Sequence, residues 1–359
     1  TMKPTLILLL ALVGLFAAAS FAAQFTHSER LFAEKLAQHQ LDEPSEEFIR
    51  ISQANSKPVP ADSELSLDGA FSLENANIFA RVAAAAYCAP LSIKGTSTKL
   101  NTWTCKQCTD SGVKLTGVTP FHIAIADFYG FVGYHAPTNS VHLSFQGSAN
   151  LANWLYNLNA QFVDFPAATG AQVHKGFYDM WIYSRPTVIA LLDAQLYNKP
   201  AGVKVAITGH SLGGAIAQLA ALDLKSSGNG YTLYNLHGID VITSGNSFDQ
   251  AAPFNLAKFP SKTLLGGSNY SLSPTLYTYG QPRVGNKVFS NYFSTKVGNS
   301  NYARLVHDTD IVPHMPPVLL WPSAQHPYFE AFYKTAYAQL SDFTLCQNAP
   351  ESDLCSNQY

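Results

Sequence analysis

The chain reads as an α/β protein, a mostly parallel sheet covered by helices on both faces. Three features point there. Apolar runs of strand length alternate with segments of helical spacing, the order that builds a parallel sheet through crossover connections. One such run, Val203 to Thr208, passes through Gly-His-Ser-Leu-Gly straight into an alanine-rich helical stretch, Leu212 to Lys225. The 359 residues are enough for one large core or two small ones.

Residues 1–23 read as a secretory signal peptide. Met2-Lys3 is a short positive start, Leu6 to Ala18 is apolar, and small residues from Ala19 to Ala23 offer cleavage sites. A membrane anchor is the competing reading, but the run is shorter than the ~20 residues a span needs. Thr1 precedes Met2, so the sequence reads as an untrimmed or partial translation. Residues 24–67 are richer in Glu, Lys, Gln and Ser, and "SKPVPADSE" (Ser56 to Glu64) has the composition of an extended linker, hence a propeptide or tether.

Residues 68–359 form the folded domain in this reading. Asn75 to Tyr87 has helical spacing and strong helix formers. Phe121 to Ser148 reads as strand, turn, strand, with the turn at Ala136-Pro137-Thr138-Asn139 and the second strand at Val141 to Phe145. Ala149 to Leu158 is short and amphipathic, carrying Leu151, Trp154, Leu155 and Leu158. Phe177 to Tyr197 is a long helix containing Pro186. The Val203 strand and the Leu212 helix follow. Residues 226–273 are rich in Asn, Gly and Ser and read as a loop insertion, with one glycosylation sequon at Asn269-Tyr270-Ser271. Thr275 to Tyr279 is a strand, Lys287 to Thr295 a helix, and Tyr302 to Val306 the last strand.

Composition narrows the partners. The net charge is −2 and no basic tract stands out, which excludes nucleic acid as a partner. Charged residues make up 13%, about half the usual ~25%. A surface so poor in charge suits an extracellular protein that meets neutral or apolar substrates.

The chain has five cysteines, and in a secreted protein they pair. Cys105-Lys106-Gln107-Cys108 could be a redox motif or half a zinc site. It has no second CxxC to complete a metal site, and it follows a Trp-Thr loop rather than opening a helix, so a local structural disulfide is preferred. Cys346 and Cys355 bracket a polar loop as a second staple, and Cys88 is left over. No cofactor and no metal are implied.

Gly209-His210-Ser211-Leu212-Gly213 fits G-x-S-x-G. A strand-to-helix turn this tight leaves no room for a Cβ on either side of the serine. It also holds the serine in a strained backbone that presents Oγ at the head of the helix. There the Leu212 N–H is the natural first donor to a developing oxyanion. His210 should point away from Oγ and reads as a packed histidine. A serine nucleophile also needs an acid and a histidine, in the order Ser, Asp or Glu, His. Arg304 to Pro317 (RLVHDTDIVPHMPP) follows a strand and presents Asp308 and Asp310.

With GHSLGGAIAQLAALDL, YGQPRVGN (Tyr279 to Asn286), DTDIVPHMPP and FQGSANLANW (Phe145 to Trp154) in this order, the chain resembles the fungal class 3 lipases. These are secreted triacylglycerol lipases of α/β-hydrolase fold with a helical lid. The resemblance runs from about Ser72 to the C-terminus, outside 226–273. It implies that Ser211 is the nucleophile and Asp310 the acid, leaving Asp308 a loop residue. Ser148, after Gly147, would be the second oxyanion donor, and Ala149 to Leu158 the lid, with Trp154 at the family's lid tryptophan. Many relatives carry Arg where this chain has Gln146.

The histidine departs from the pattern. After Asp310 only His314 and His326 remain. His314 is too near Asp310 along the chain, and His326 resembles a family histidine that is not catalytic. In the family the catalytic histidine follows the second cysteine of a pair like Cys346 and Cys355, and a cysteine like Cys88 bonds to one near the C-terminus. The resemblance therefore implies a tail beyond Tyr359 carrying both, with His326 as the fallback base. The expected activity is hydrolysis of acylglycerol esters at a lipid–water interface, with no stable protein partner. A feruloyl or short-chain carboxylesterase, or a noncatalytic lipid-binding relative, are the alternatives.

Overall fold

The computed structural model describes residues 71–93, 99–148, 161–197, 199–200, 202–227, 273–318, 321–334, 342–347 and 350–358. The signal peptide, the linker, the lid segment, the sequon and nearly all of the loop insertion lie outside the described residues.

Twelve strands are described. They are β1 (Thr116–Ile123), β2 (Phe128–His135), β3 (Ser140–Phe145), β4 (Phe162–Asp164), β5 (Gln172–His174), β6 (Lys204–His210), β7 (Thr275–Tyr279), β8 (Gly285–Asn286), β9 (Tyr302–His307), β10 (Ala324–Gln325), β11 (Glu330–Tyr333) and β12 (Thr344–Cys346). The large sheet has eight strands in the order β1-β2-β3-β6-β7-β9-β11-β12. The five from β3 to β11 run parallel, and antiparallel strands flank them on both sides. The alternation of elements thus builds the expected α/β sheet, in the α/β-hydrolase arrangement that the resemblance implies. A small sheet, β10-β8-β5-β4, is antiparallel.

The helices are α1 (Leu73–Ala85), α2 (Ala89–Ile93), α3 (Lys106–Thr109), α4 (Lys175–Leu196), α5 (Leu212–Ser227) and α6 (Lys287–Val297). Ser72 caps α1, its hydroxyl accepting from the Asn75 N–H at 3.0 Å. Alternation along the strands sorts the helices onto two faces. Ser144 of β3 and Thr208 of β6 are register partners, and both hydroxyls donate to α1, to Val82 O at 3.2 Å and Phe79 O at 3.3 Å. The next residue, Phe145, points the other way and meets Trp181 of α4, ring centroids 6.3 Å apart. Behind it, Asp223 of α5 is buried between the Trp181 indole N–H, at 3.1 Å, and the Arg185 guanidinium. Pro186 lies inside α4, as the sequence predicts.

Three readings need correction. The segment before the Ala136 turn is not a single strand. β1 and β2 form a hairpin through Ala124–Ala126, where Asp127 takes a left-handed φ of 43° without being glycine or asparagine. Tyr302 to His307 is not the last strand; β10, β11 and β12 follow it, each two to four residues long. Runs that short carry no periodicity. Finally, the CxxC segment does open a helix. Cys105 caps α3, its sulfur accepting from the Cys108 N–H at 3.2 Å.

β1 departs from regular pairing between Thr116 and Thr119, and it contains Pro120. β12, at the opposite margin, is tied down by the Cys346–Cys355 disulfide.

Candidate active site

β6 ends at His210 and α5 begins at Leu212, so Ser211 alone makes the turn. Its φ is 55°, the left-handed region a side chain rarely adopts. Its N–H donates to Tyr279 O on β7 at 2.9 Å, and its carbonyl accepts from Gly214 and Ala215. A Cβ on Gly209 would stand 2.2 Å from the Gly213 backbone, and one on Gly213 would stand 2.3 Å from Phe145 O. Both glycines are thus required by close backbone approach. Ser211 Oγ is buried and has no hydrogen-bond partner among the described residues.

The segment after β3 presses against this turn. A Cβ on Gly147 would lie 2.3 Å from Tyr87 Oη, 2.7 Å from His210 O and 3.3 Å from Ser211 Cβ. Gly147 therefore lets the strand end pass within contact of the serine, and half-buried Ser148 follows it in the chain. Leu212, buried, is the first residue of α5. Sequence reasoning did not single out Tyr87. It follows α1, and its hydroxyl lies 2.7 Å from His210 Nδ1. Burial raises the Tyr87 phenol, against a smaller opposing effect from the Gly147 backbone. Burial lowers His210 to about 4, so the imidazole is neutral at ordinary pH. His210 is packed, as the sequence suggests.

Asp310 arrives from the end of β9. Its backbone N–H donates to His307 O at 3.1 Å, and its Oδ1 accepts from the Val312 N–H at 2.9 Å. Its Oδ2 sits over Gly280, the residue after β7, only 2.6 Å from where a Cβ would be; His210 Nε2 lies 3.6 Å from the same point. Gly280 has a φ of 52°. Ser148, Ser211 and Asp310 all come from the C-terminal ends of parallel strands, where open α/β sheets place their sites. Asp308 turns elsewhere, its N–H bonded to Tyr333 O.

Neither histidine after Asp310 bonds to Ser211 Oγ. His314 is buried, and its Nδ1 has no hydrogen-bond partner among the described residues. Burial first, then the Arg283 charge, lowers it to about 3. His326 Nε2 bonds to Pro313 O at 2.7 Å, and burial holds that ring well below its ordinary value.

Buried charges build the frame around Asp310. Arg283 pairs with Glu351 at 2.8 and 3.1 Å, and its Nη1 donates to the carbonyls of His314 and Pro316. Burial alone would raise the Glu351 carboxyl, but the Arg283 charge and its hydrogen bonds hold it well below the usual carboxylate range. Glu351 also accepts from the His326 N–H at 2.9 Å. Arg304 pairs with Glu330 at 2.6 Å. The loop closed by Cys346 and Cys355 is thereby docked onto the segment that carries Asp310. Both expected disulfides are formed, Cys105–Cys108 and Cys346–Cys355, and Cys88 is a free, buried thiol.

Comparison with known proteins bears on what this arrangement is. The family described as Lipase (class 3) matches residues 142–247 and 258–320. The match includes most of 226–273, the stretch read as an insertion outside the resemblance, and breaks only at 248–257. A lipase of Rhizomucor miehei is 33% identical over 217 residues, 60% of this chain and 48% of that protein. The chain spans about half the length of the curated relatives it matches. Among solved structures, lipase II from Rhizopus niveus is 26% identical with a TM-score of 0.59, covering 81% of this chain and 91% of that one. A second, with 27% identity, a TM-score of 0.59 and the same coverage, is described as a serine protease triad forming the catalytic centre of a triacylglycerol lipase.

Proposed function

We propose that this chain, which the class 3 lipase family matches over residues 142–247 and 258–320, is a secreted serine hydrolase of that family cleaving acylglycerol esters, triacylglycerol among them, through an acyl-enzyme. The observation that carries the proposal is Ser211, alone in a left-handed turn between β6 and α5, with Gly147 packed against it.

In this reading Ser211 Oγ attacks the ester carbonyl. The backbone N–H groups of Leu212 and Ser148 receive the oxyanion, where fixed donors in a buried site act most strongly. Asp310 orients an imidazole that takes the Ser211 proton and passes it to the leaving alcohol. Ser211 Oγ bonds to neither His314 nor His326 among the described residues, and His326 is kept as the fallback base. The amphipathic segment Ala149 to Leu158, outside the described residues, is assigned the lid role on the resemblance alone; exposing apolar side chains to water costs about 25 cal/mol per Å², which is why an interface would favour activity.

The test is ester hydrolysis by the protein and by Ser211→Ala, which should lower kcat by about 10⁴- to 10⁶-fold. Hydrolysis that survives this substitution overturns the assignment. His326→Ala should leave the rate nearly unchanged; loss of activity there makes His326 the base. With a sparingly soluble ester, the rate should climb steeply once emulsion forms. A smooth hyperbola through the solubility limit favours the short-chain esterase alternative.

A further inference from the structure

A large apolar side chain exposed singly on a surface needs no explanation, but Ile125 is both placed and held. It is 73% exposed, at the tip of the turn that joins β1 to β2, between exposed Ala124 and half-buried Ala126. The pairing register fixes where that tip lies. Ile123 pairs with Phe128 and Gly130 with Phe145, and the Gln146 N–H donates to Tyr129 O at 3.0 Å. β1 and β3 therefore run in the same direction, and the turn stands at the end of β3 from which Gly147 and Ser148 continue. The tip shares this strand-end edge of the sheet with Ser211 and Asp310.

The turn is braced from below. Asp127 closes it with a φ of 43°, its N–H donating to Ala124 O at 3.2 Å. Asp127 Oδ1 lies 2.9 Å from His122 Nε2 across the base, and the His122 ring stacks on Tyr129 with centroids 4.1 Å apart. Phe128 stacks in turn on Phe145, centroids 5.7 Å apart. A tip set on such a base has already given up the freedom that docking would otherwise cost.

Taking the ester-hydrolysing reading above as its premise, we propose that Ala124-Ile125-Ala126 is an anchor that enters a neutral lipid surface and sets the catalytic edge of the sheet against it. Shape and charge select this occupant. The tip protrudes, so it offers no cup to the side chain of a protein partner, yet it can sink into a fluid apolar phase. The two titratable groups of the turn, His122 and Asp127, face each other, which leaves the tip nothing with which to choose a charged headgroup. Tyr197 supplies the contrast. It is 71% exposed but follows the end of α4 at the opposite edge of the sheet. There Gln195 bonds to Gly117 O near the start of β1, and Lys199 Nζ sits 4.3 Å over the Tyr134 ring near the end of β2.

Sedimentation with vesicles of dioleoyl phosphatidylcholine measures the partition. Ile125→Ser should weaken it about 10-fold, which is what burying most of an isoleucine side chain supplies. Tyr197→Ser should leave it unchanged. Both side chains are exposed, so neither substitution disturbs the core. The emission of Ile125→Trp should shift to the blue when vesicles are added, and that of Tyr197→Trp should not. Phosphatidylglycerol in the vesicles should not strengthen binding. Equal partition of the native protein and Ile125→Ser, an unshifted Ile125→Trp, or binding that needs the anionic lipid overturns the anchor. Hydrolysis of a water-soluble ester, measured on the same samples, tests the catalytic reading separately and should be equal in the native protein and Ile125→Ser. A loss in the variant would give Ile125 a role in the site instead and overturn the anchor. If neither protein hydrolyses the ester while their partition differs, the catalytic reading fails and the lipid contact stands.

Discussion

Ser211 and Asp310 leave strands β6 and β9, which are separated only by β7, yet different forces hold the two places. The turn at Ser211 is held by backbone against backbone, with Gly209, Gly213 and Gly147 allowing approaches that any Cβ would block. The segment at Asp310 is held by buried charge, with Arg283 gripping Glu351 and two carbonyls of the chain that follows Asp310. Gly209 and Gly213 meet across the turn itself, whereas Gly147 and Phe145 reach it from the end of β3. Charge pairing joins residues from 283 to 351. The first kind of support is insensitive to solvent conditions, whereas the second responds to pH and to loss of a single partner.

Acidification should have the largest effect. Burial lowers His135 and His210 to about 4 and His142 and His314 to about 3; for His142 the neighbouring His135 adds to this, and for His314 the Arg283 charge does. Burial also holds His326 well below its ordinary value. Each ring is neutral in the fold and regains its ordinary value of 6.5 on unfolding. Below that pH the unfolded chain takes up protons that the fold refuses. Stability is therefore complete above the ordinary value and falls as pH drops toward the folded values. Each of the four rings lowered to about 3 or 4 costs about 2 kcal/mol by pH 5, and together they are comparable to the ~5–15 kcal/mol of a typical domain. Glu351, held low in the fold, adds a loss of the same sign. Near-ultraviolet circular dichroism should show cooperative unfolding near pH 5. A protein that remains native at pH 4 would show that these rings do not need to stay neutral.

Breaking the charged frame comes next. Arg283→Met leaves Glu351 buried without its cation and should cost about 3–5 kcal/mol. Adding Glu351→Leu should recover much of that in chemical denaturation. If the double variant is no better than the single one, the pair is not what holds the two segments together. Gly209→Ala tests the steric side. Its Cβ meets backbone that cannot swing away, and overpacking should cost about 2–3 kcal/mol. Unlike the charged variants, its penalty should not change with pH, and urea titrations at two pH values separate the cases. Ser72→Ala, remote from both regions, should cost about 1 kcal/mol through the lost α1 cap. A thermal shift much larger than that cap accounts for would give Ser72 a wider role.

The same division explains what could be read from the sequence. The β6 strand, Ser211 and α5 were legible because an apolar run, two glycines and an alanine-rich helix stand next to one another. The α4 helix was legible despite Pro186 because its apolar spacing continues on both sides. Asp310 needed a resemblance, since nothing local separates it from Asp308. β11 and β12 escaped because a four-residue and a three-residue strand exist only by pairing with β9 and with each other. The β1–β2 turn escaped because Asp127 adopts a backbone that usually signals itself with glycine. Tyr87 escaped because an aromatic residue at the end of a helical pattern looks like any core residue. Its meaning lies in His210, 123 positions away.

The margins of the large sheet bear on how the protein behaves when crowded. A sheet edge is a template on which another chain can add a strand. Here one margin is β1, whose pairing is irregular near Thr116 and whose Pro120 has no N–H to offer. The other is β12, three residues long and fastened by a disulfide. Neither presents a long regular row of donors and acceptors. The eight-stranded sheet is thus poorly suited to growth by recruitment, and solutions of the folded protein should resist fibrillar association even at high concentration.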